Sequence, residues 1–120
     1  MTRDDVVELL GRLAARHDDL KVKGKASAYL AINGNMFAFV DGSGELCMRL
    51  SKEDRAAYAE AGHDASDVIR YNSVMRDYVA VSPELVADEA GVKDWFERSV
   101  GFARALKPKP TKKTAPAKKS

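Results

Sequence analysis

An Asn-Gly turn between two short apolar runs is the feature that most constrains the fold of this 120-residue chain. The two runs are residues 29–32 and 36–40, and Asn33-Gly34-Asn35 separates them. The tightest hairpin turns need a positive φ at both central residues, which Asn and Gly adopt most easily. The sequence therefore predicts two antiparallel strands joined by this turn.

A second turn and an alternating run extend this hairpin. Residues 41–44, Asp-Gly-Ser-Gly, precede residues 45–50, in which every second side chain is apolar. Such alternation predicts a third strand, with one face on the core and the other partly in water. Residues 68–71 are a weaker strand candidate, and residues 75–81 predict a further strand that only Asp77 interrupts. We expect an antiparallel sheet of four to five strands with one covered face.

Three helices are predicted from capping residues and apolar spacing. Residues 3–17 begin with a capping-box spacing at Thr2. A short middle helix begins after Ser51 and ends at Gly62, and Ser82 introduces a final amphipathic helix of about four turns. The order of elements predicts an α+β fold in which an N-terminal helix, a short middle helix and a C-terminal helix pack on the sheet.

Three runs of the chain resemble the N-terminal domain of the TfoX/Sxy family. They are residues 29–38, 75–81 and 95–106, and the resemblance extends over about residues 4–108. It implies the α+β fold and brings no catalytic residues. Named members of this family are linked to regulation of natural transformation in bacteria, so the resemblance implies a regulatory or interaction module. The MmcQ/YjbR-like proteins, with a similar hairpin and final helix, are a less close match.

Two departures from the family pattern keep a competence role from being carried over. Residues 23–27, Lys-Gly-Lys-Ala-Ser, stand where the family often has a Met-Phe-Gly-Gly-like segment. The longer members also have a second helical domain after the first, and this chain has a lysine-rich segment there.

The sequence contains no recognisable catalytic or metal motif. Cys47 is the only cysteine and is expected to be an inert buried side chain, with neither His17 nor His63 coupled to it. His63, Asp64 and Asp67 form a weak set of metal ligands and are better interpreted as a solvated loop. We therefore expect no enzyme activity, no cofactor and no bound metal.

Two other features have a structural interpretation beside a functional one. The glycines of residues 41–44 could form a phosphate loop, but the turn is expected to join two strands, where a phosphate cradle does not belong. Trp95, Phe96 and Phe102 lie near one another on the last helix. At least two of these rings are expected in the core, and an exposed ring would indicate a partner surface.

The alternative function is that of a small-ligand-binding protein or an enzyme with a pocket between the sheet and the C-terminal helix. Polar and aromatic side chains cluster on the strand predicted at residues 75–81. Tyr71, Arg76 and Tyr78 would lie at the mouth of that pocket.

The location of the protein is expected to be cytoplasmic. The first residues lack the basic and apolar regions of a secretory signal, and no stretch approaches the roughly 18 apolar residues needed to cross a bilayer. A single cysteine fits a reducing compartment. We expect no membrane partner.

The C-terminal residues 107–120 differ sharply in composition from the rest. They contain six of the eleven lysines, no acid and no large apolar side chain. Residues 1–106 then contain 14 basic and 18 acidic residues. Such a segment cannot offset a backbone ordering cost of about 1–2 kcal/mol per residue. The sequence therefore predicts one domain, residues 1–106, and a disordered Lys/Pro/Ala-rich tail, residues 107–120.

This tail is the strongest candidate for a functional segment. Lysines spaced by Pro, Ala and Thr are typical of segments that neutralise phosphates without reading bases, although a solubilising terminus would look similar. The expected partner is nucleic acid, and a protein partner or a homodimer would also fit an interaction module. The candidate nucleic-acid-binding residues are Lys107, Lys109, Lys112, Lys113, Lys118 and Lys119.

Overall fold

Four helices and six short strands make up the described part of the chain, residues 2–24, 28–70 and 72–108 of a computed structural model. In chain order they are α1 (Arg3–Ala14), β1 (Ala28–Ile32), β2 (Asn35–Val40), β3 (Leu46–Arg49), α2 (Lys52–Glu60), β4 (Val68–Arg70), β5 (Ser73–Met75), β6 (Tyr78–Ala80), α3 (Pro83–Val86) and α4 (Glu89–Ala105). The predicted α+β fold is confirmed. None of the helices in these ranges has the length and apolar character needed to cross a bilayer.

The strands form two antiparallel sheets, and the larger has the order β1-β2-β3-β6. β4 and β5 pair only with each other and form the small sheet. The single strand predicted at residues 75–81 is therefore wrong. Asp77 has a φ of +73°, which turns the chain between β5 and β6, so the two halves of the predicted strand belong to different sheets.

The predicted hairpin of β1 and β2 is confirmed, and it contains a β-bulge. Asn33 and Gly34 have φ values of 53° and 83°, as the tight turn requires. Leu30 pairs with Ala38 but Ala31 pairs with Met36, so Phe37 is an extra residue in β2. As a result Phe37 and Ala38 both face the core that the helices cover.

α1 and α4 cover the first face of the main sheet. The ring of Phe96 on α4 lies 6.1 Å from the ring of Phe37, and both side chains are fully buried. α2 contributes Tyr58, which contacts Trp95 edge-on at 5.1 Å and donates a hydrogen bond to the Ala80 carbonyl at 2.9 Å. The core therefore contains two of the three aromatic rings that the sequence placed around the last helix, Trp95 and Phe96.

The helix boundaries follow the predicted caps with two differences. Thr2 and Asp5 form the capping box of α1, which ends at Ala14, three residues earlier than expected. Ser51 caps α2, as predicted. The single final helix predicted after Ser82 is divided into two, and Ser82 caps only the single-turn α3. Asp88 caps α4, since its carboxylate accepts a hydrogen bond from the Gly91 amide.

The small sheet covers part of the second face of the main sheet. Phe39, Cys47 and Tyr78 on that face form a second buried cluster with Val68 of β4, and Cys47 has no exposed surface. The expectation of only one covered face is therefore wrong. The sequence of β4 and β5 is too short to show that their inner side chains pack on another sheet.

The end of the domain is fixed by a hydrogen bond beyond the last helix. The side-chain amide of Asn35, only 6% exposed, donates to the carbonyl of Lys107 at 3.0 Å. The chain thus passes the β1–β2 turn as it leaves α4, and Lys107 itself is exposed. This contact lies just past residue 106, where the sequence places the domain boundary.

Two truncations test this anchor. A chain that ends at Pro108 should keep its melting temperature within about 1–2 °C of the full chain, because the residues removed carry no large apolar side chain. A chain that ends at Leu106 leaves the Asn35 amide without its acceptor. An unsatisfied buried donor costs about 1–3 kcal/mol, which corresponds to a loss of roughly 4 °C or more. Equal melting temperatures for the two truncations, measured by circular dichroism, would refute the anchor.

Candidate functional site

The described part of the tail is its root, where α4 ends. The last helical residue is Ala105, Leu106 is extended, and Lys107 is exposed and held through its carbonyl. The other five candidate nucleic-acid-binding residues lie outside the described residues: Lys109, Lys112, Lys113, Lys118 and Lys119. Of the predicted site, the structure therefore places only Lys107.

Seven of the nine arginines of the body, all of which lie in the described ranges, are paired with its own carboxylates. These seven have a carboxylate oxygen within 3.8 Å of a guanidinium nitrogen: Arg12, Arg16, Arg49, Arg55, Arg70, Arg98 and Arg104. An arginine paired in this way has less of its fork available to bind a phosphate. These seven arginines therefore contribute little to any polyanion surface.

Two of these pairs lie close to the tail root. Arg104, in the last turn of α4, donates two hydrogen bonds to Asp19, at 2.8 and 3.0 Å. The pair lowers the pKa of Asp19 to about 2, mainly through the hydrogen bond from Arg104. Arg49 pairs with Asp77 at 3.1 Å. Asp19 and Asp77 are thus both neutralised by arginines.

Arg49 also fixes the second face of the sheet next to the root. Its guanidinium lies 5.6 Å from the ring centre of Phe102 and 5.9 Å from that of Tyr78. The Met36 carbonyl accepts hydrogen bonds from Tyr78 Oη at 2.9 Å and from Arg49 at 3.4 Å. Phe102, which is half-buried, therefore packs against a cation, and it is not a free aromatic surface.

The candidate nucleophile and bases do not form a catalytic arrangement. Burial raises the pKa of the Cys47 thiol to about 12. His17 Nε2 lies 3.0 Å from both carboxylate oxygens of Glu97, and the His63 ring stacks on Tyr58 at 4.7 Å. Each histidine thus has its own local partner. Within residues 2–24, 28–70 and 72–108, no three His, Cys, Asp or Glu side chains are placed to hold a metal ion.

In the turn at residues 41–44, the amides of Asp41, Ser43 and Gly44 are already bonded within the turn and its flanks. Asp41 Oδ1 accepts hydrogen bonds from the amides of Ser43 and Glu45, at 2.9 and 3.0 Å, and its carbonyl accepts one from Gly44 at 3.0 Å. The φ of Gly44 is +94°, and a Cβ there would lie 3.2 Å from the Arg3 Cα. The structure therefore supports the hairpin-turn interpretation and assigns the amides to Asp41.

The same aspartate holds the small sheet through Arg70, which no sequence pattern marks as functional. Arg70 Nε donates to Asp41 Oδ2 at 2.8 Å, and Arg70 Nη2 donates to Glu45. Burial alone would raise the pKa of Asp41, but hydrogen bonds from Ser43, Glu45 and Arg70 outweigh it and lower the pKa from its ordinary value near 3.8. Asp41, Glu45 and Arg70 form the cluster that we call the Arg70 latch.

The pocket predicted between the sheet and the last helix is filled by the core. Tyr78 is 4% exposed and bonded to Met36, Arg76 is exposed, and Tyr71 lies outside the described residues. Phe96 fills the space between α4 and the sheet. The pocket prediction is therefore wrong for Tyr78.

Two open grooves flank α3. The first, about 380 Å³, is lined by polar and apolar surface in nearly equal parts, and the second contains acids. The first is lined by Val6, Ser43, Gly44, Glu45, Leu46, Val81, Pro83, Val86 and Ala87, and the second by Gly62, His63, Asp64, Ser82, Glu84, Leu85 and Asp88. Neither groove combines an apolar enclosure with convergent hydrogen-bond donors, as small-ligand sites do.

Two contacts could not be found from the sequence. Asn35 reads as the end of a turn, and nothing in its surroundings indicates an acceptor 72 residues later. Arg70 ends a weak strand and reads as a solvated charge. For the Arg70 contact, the Asp-Gly-Ser-Gly turn is the one sequence feature that indicates a fixed Asp41, because Asp favours turns in which its carboxylate binds nearby amides.

A family model described as the TfoX N-terminal domain matches residues 24–103. The matched residues include β1 to α3 and all but the last two residues of α4. The curated proteins that were compared include no match to this chain.

Replacing Asp41 by Asn tests the Arg70 latch. The variant should lose about 2–3 kcal/mol of unfolding free energy at pH 7, because Arg70 would then face an amide nitrogen in a buried site. The folded-state pKa of Asp41 is lowered, so its contribution is present above about pH 4 and is lost as the pH falls through the folded-state pKa. Urea unfolding from pH 7 to pH 2.5 should show a weaker acid loss in the variant than in the wild type.

Asp64→Asn is the matched control for this prediction. Asp64 accepts hydrogen bonds from the amide and the hydroxyl of Ser66, as Asp41 does from Ser43, but it is exposed and has no arginine partner. Its replacement should change stability little. If the two variants lose equal free energy of unfolding, or if the acid profile of Asp41→Asn equals that of the wild type, then the Arg70 latch does not stabilise the fold.

Proposed function

The chain belongs to the TfoX N-terminal domain family, and from this membership we propose a non-enzymatic interaction or regulatory module that acts in the cytoplasm. In this proposal its lysine-rich tail gives weak, sequence-independent contact with nucleic acid. The observation that supports the nucleic-acid contact is the division of charge. Six lysines follow Leu106 with no acid among them, whereas the preceding residues have an excess of four acids.

The state of the candidate catalytic groups supports a non-enzymatic role. Nucleophilic catalysis needs a thiolate or hydroxyl beside a base. Cys47 is buried with a raised pKa, and His17 and His63 contact Glu97 and Tyr58 instead of a nucleophile. The family resemblance also brings no catalytic residues.

The placement of charge in the fold supports the tail as the polyanion contact. α4 has 17 residues and is about 25 Å long, and it separates the acids near its start from the tail root at its end. This length exceeds twice the Debye length of about 8–10 Å at physiological ionic strength. Arg104 and Arg49 neutralise the acids near the root. Phosphates that approach the root therefore meet lysines without strong repulsion from Glu84, Asp88 or Glu89.

The salt dependence of DNA binding tests the proposal. If about five of the six lysines contact phosphates of a duplex, the logarithm of the binding constant should fall with the logarithm of the salt concentration, with a slope of about −4 to −5. Fluorescence anisotropy with two labelled 20-base-pair duplexes of unrelated sequence should give the same constant and the same slope for both.

Two variants of equal length isolate the charge. Replacing all six tail lysines by Gln should abolish the binding, whereas shuffling residues 107–120 should preserve it, because the contact depends on charge and not on order. Binding that survives the Gln substitutions, or that does not respond to salt, would reject the tail as the contact. If shuffling abolishes the binding, then the contact depends on the order of the tail residues and not only on their charge.

A further inference from the structure

The small sheet has few contacts to hold it on the main sheet. Each of its two strands has three residues, and an isolated two-stranded sheet is marginally stable in water. Val68 and its cross-strand partner Met75 face inward, against Phe39, Cys47 and Tyr78. Ile69 and its partner Val74 face outward and are 60% and 58% exposed. Only the inner pair therefore anchors the small sheet by apolar burial.

The polar attachment of the small sheet is concentrated at one residue. Arg70 binds Asp41 and Glu45 across the β2–β3 turn, and its Nη2 lies 4.0 Å from Cys47 Sγ. Its side chain is 24% exposed, and that of Asp41 is 11% exposed, so the pair is shielded from water on most sides. Removing this guanidinium would leave Asp41 with a carboxylate oxygen that has lost its partner.

Both ends of the small sheet join irregular backbone that is fixed to the rest of the fold. Residues 63–67 have no regular structure between α2 and β4, and Arg55 of α2 holds them by two hydrogen bonds to the Ala65 carbonyl. Asp77 has a positive φ, a strained conformation for a residue other than glycine, and it directly precedes β6. β6 itself is paired with β3 in the main sheet, and the Val81 amide that follows it donates to the Leu46 carbonyl at 2.8 Å. The small sheet can therefore move without unpairing β6.

We propose that β4 and β5 form a lid that opens locally, with Arg70 as its latch, and uncovers Phe39, Cys47 and Tyr78 while the main sheet stays folded. Local opening of this kind occurs where few apolar contacts hold a segment. The surface uncovered is aromatic and apolar, whereas the outer surface of the closed lid offers only the Ile69–Val74 pair. Opening thus changes the apolar surface that the module presents to a partner.

The single cysteine provides a direct test in the full chain. Cys47 has no exposed surface, so a thiol reagent such as 5,5′-dithiobis(2-nitrobenzoate) can react only after an opening. In the wild type, the Cys47 thiol should react about tenfold faster than global unfolding alone would allow. The rate expected from global unfolding follows from the unfolding equilibrium measured in urea in the same buffer. Arg70→Met, which keeps an apolar stem, should raise this excess by about 10- to 100-fold, because a charge-assisted bond is lost.

A control variant and a milder variant separate the lid from general destabilisation. Arg98→Met breaks the pair with Asp54, which lies away from the lid, and should leave the excess reactivity unchanged. Glu45→Gln weakens the latch without removing Arg70, so the excess thiol reactivity should rise less than in Arg70→Met. This variant replaces Arg70→Met in the test if Arg70→Met does not fold. In the two latch variants, amide hydrogen exchange should quicken at Val68 and Met75, which pair across the small sheet, and stay slow at Leu30 and Val100. Thiol reactivity that matches global unfolding in the wild type and in the latch variants would overturn the lid.

Discussion

The contact between α4 and the first face of the main sheet is the interaction on which the rest of the structure depends. Phe96 lies on Phe37 where the bulge turns two consecutive β2 residues toward the core, and Ser99 Oγ lies 3.5 Å from the Phe37 carbonyl. Burying one large apolar side chain is worth about 1.5–3 kcal/mol, whereas a surface ion pair is worth about 0–1. The exposed pairs such as Arg12–Glu89 therefore align α1 with α4 but do not hold them together. Through this contact α4 also determines where the lysine tail begins.

The division of charge follows from this packing. With α4 fixed along the sheet, Arg104 and Arg49 reach the acids near its C-terminal end, and the acids near its start stay about 25 Å away. The described part of the folded body thus pairs seven of its nine arginines with its own carboxylates, whereas the six lysines after Leu106 have no acid among them. This arrangement is compatible with the proposed contact between the tail and a polyanion.

The sequence predicted those features that depend on neighbouring residues. The Asn33-Gly34 turn and the caps at Thr2 and Ser51 are local, and all three were correct. Features that depend on distant partners were missed. Residues 75–81 alternate like one strand, and only tertiary pairing shows that Asp77 divides them. The burial of Cys47 was expected, but its contact with Val68 could not be predicted. A strand of three residues is too short to show an alternating pattern.

A residue-resolved NMR titration of the full chain with a short DNA duplex tests the central claim most directly. The account predicts that amide shifts and line broadening concentrate in residues 107–120, that the amides of the main sheet and of α4 up to Val100 stay unchanged, and that all effects vanish at high salt. Perturbations centred on the sheet or on the grooves beside α3, with the tail unaffected, would contradict the account and place the function in the folded body.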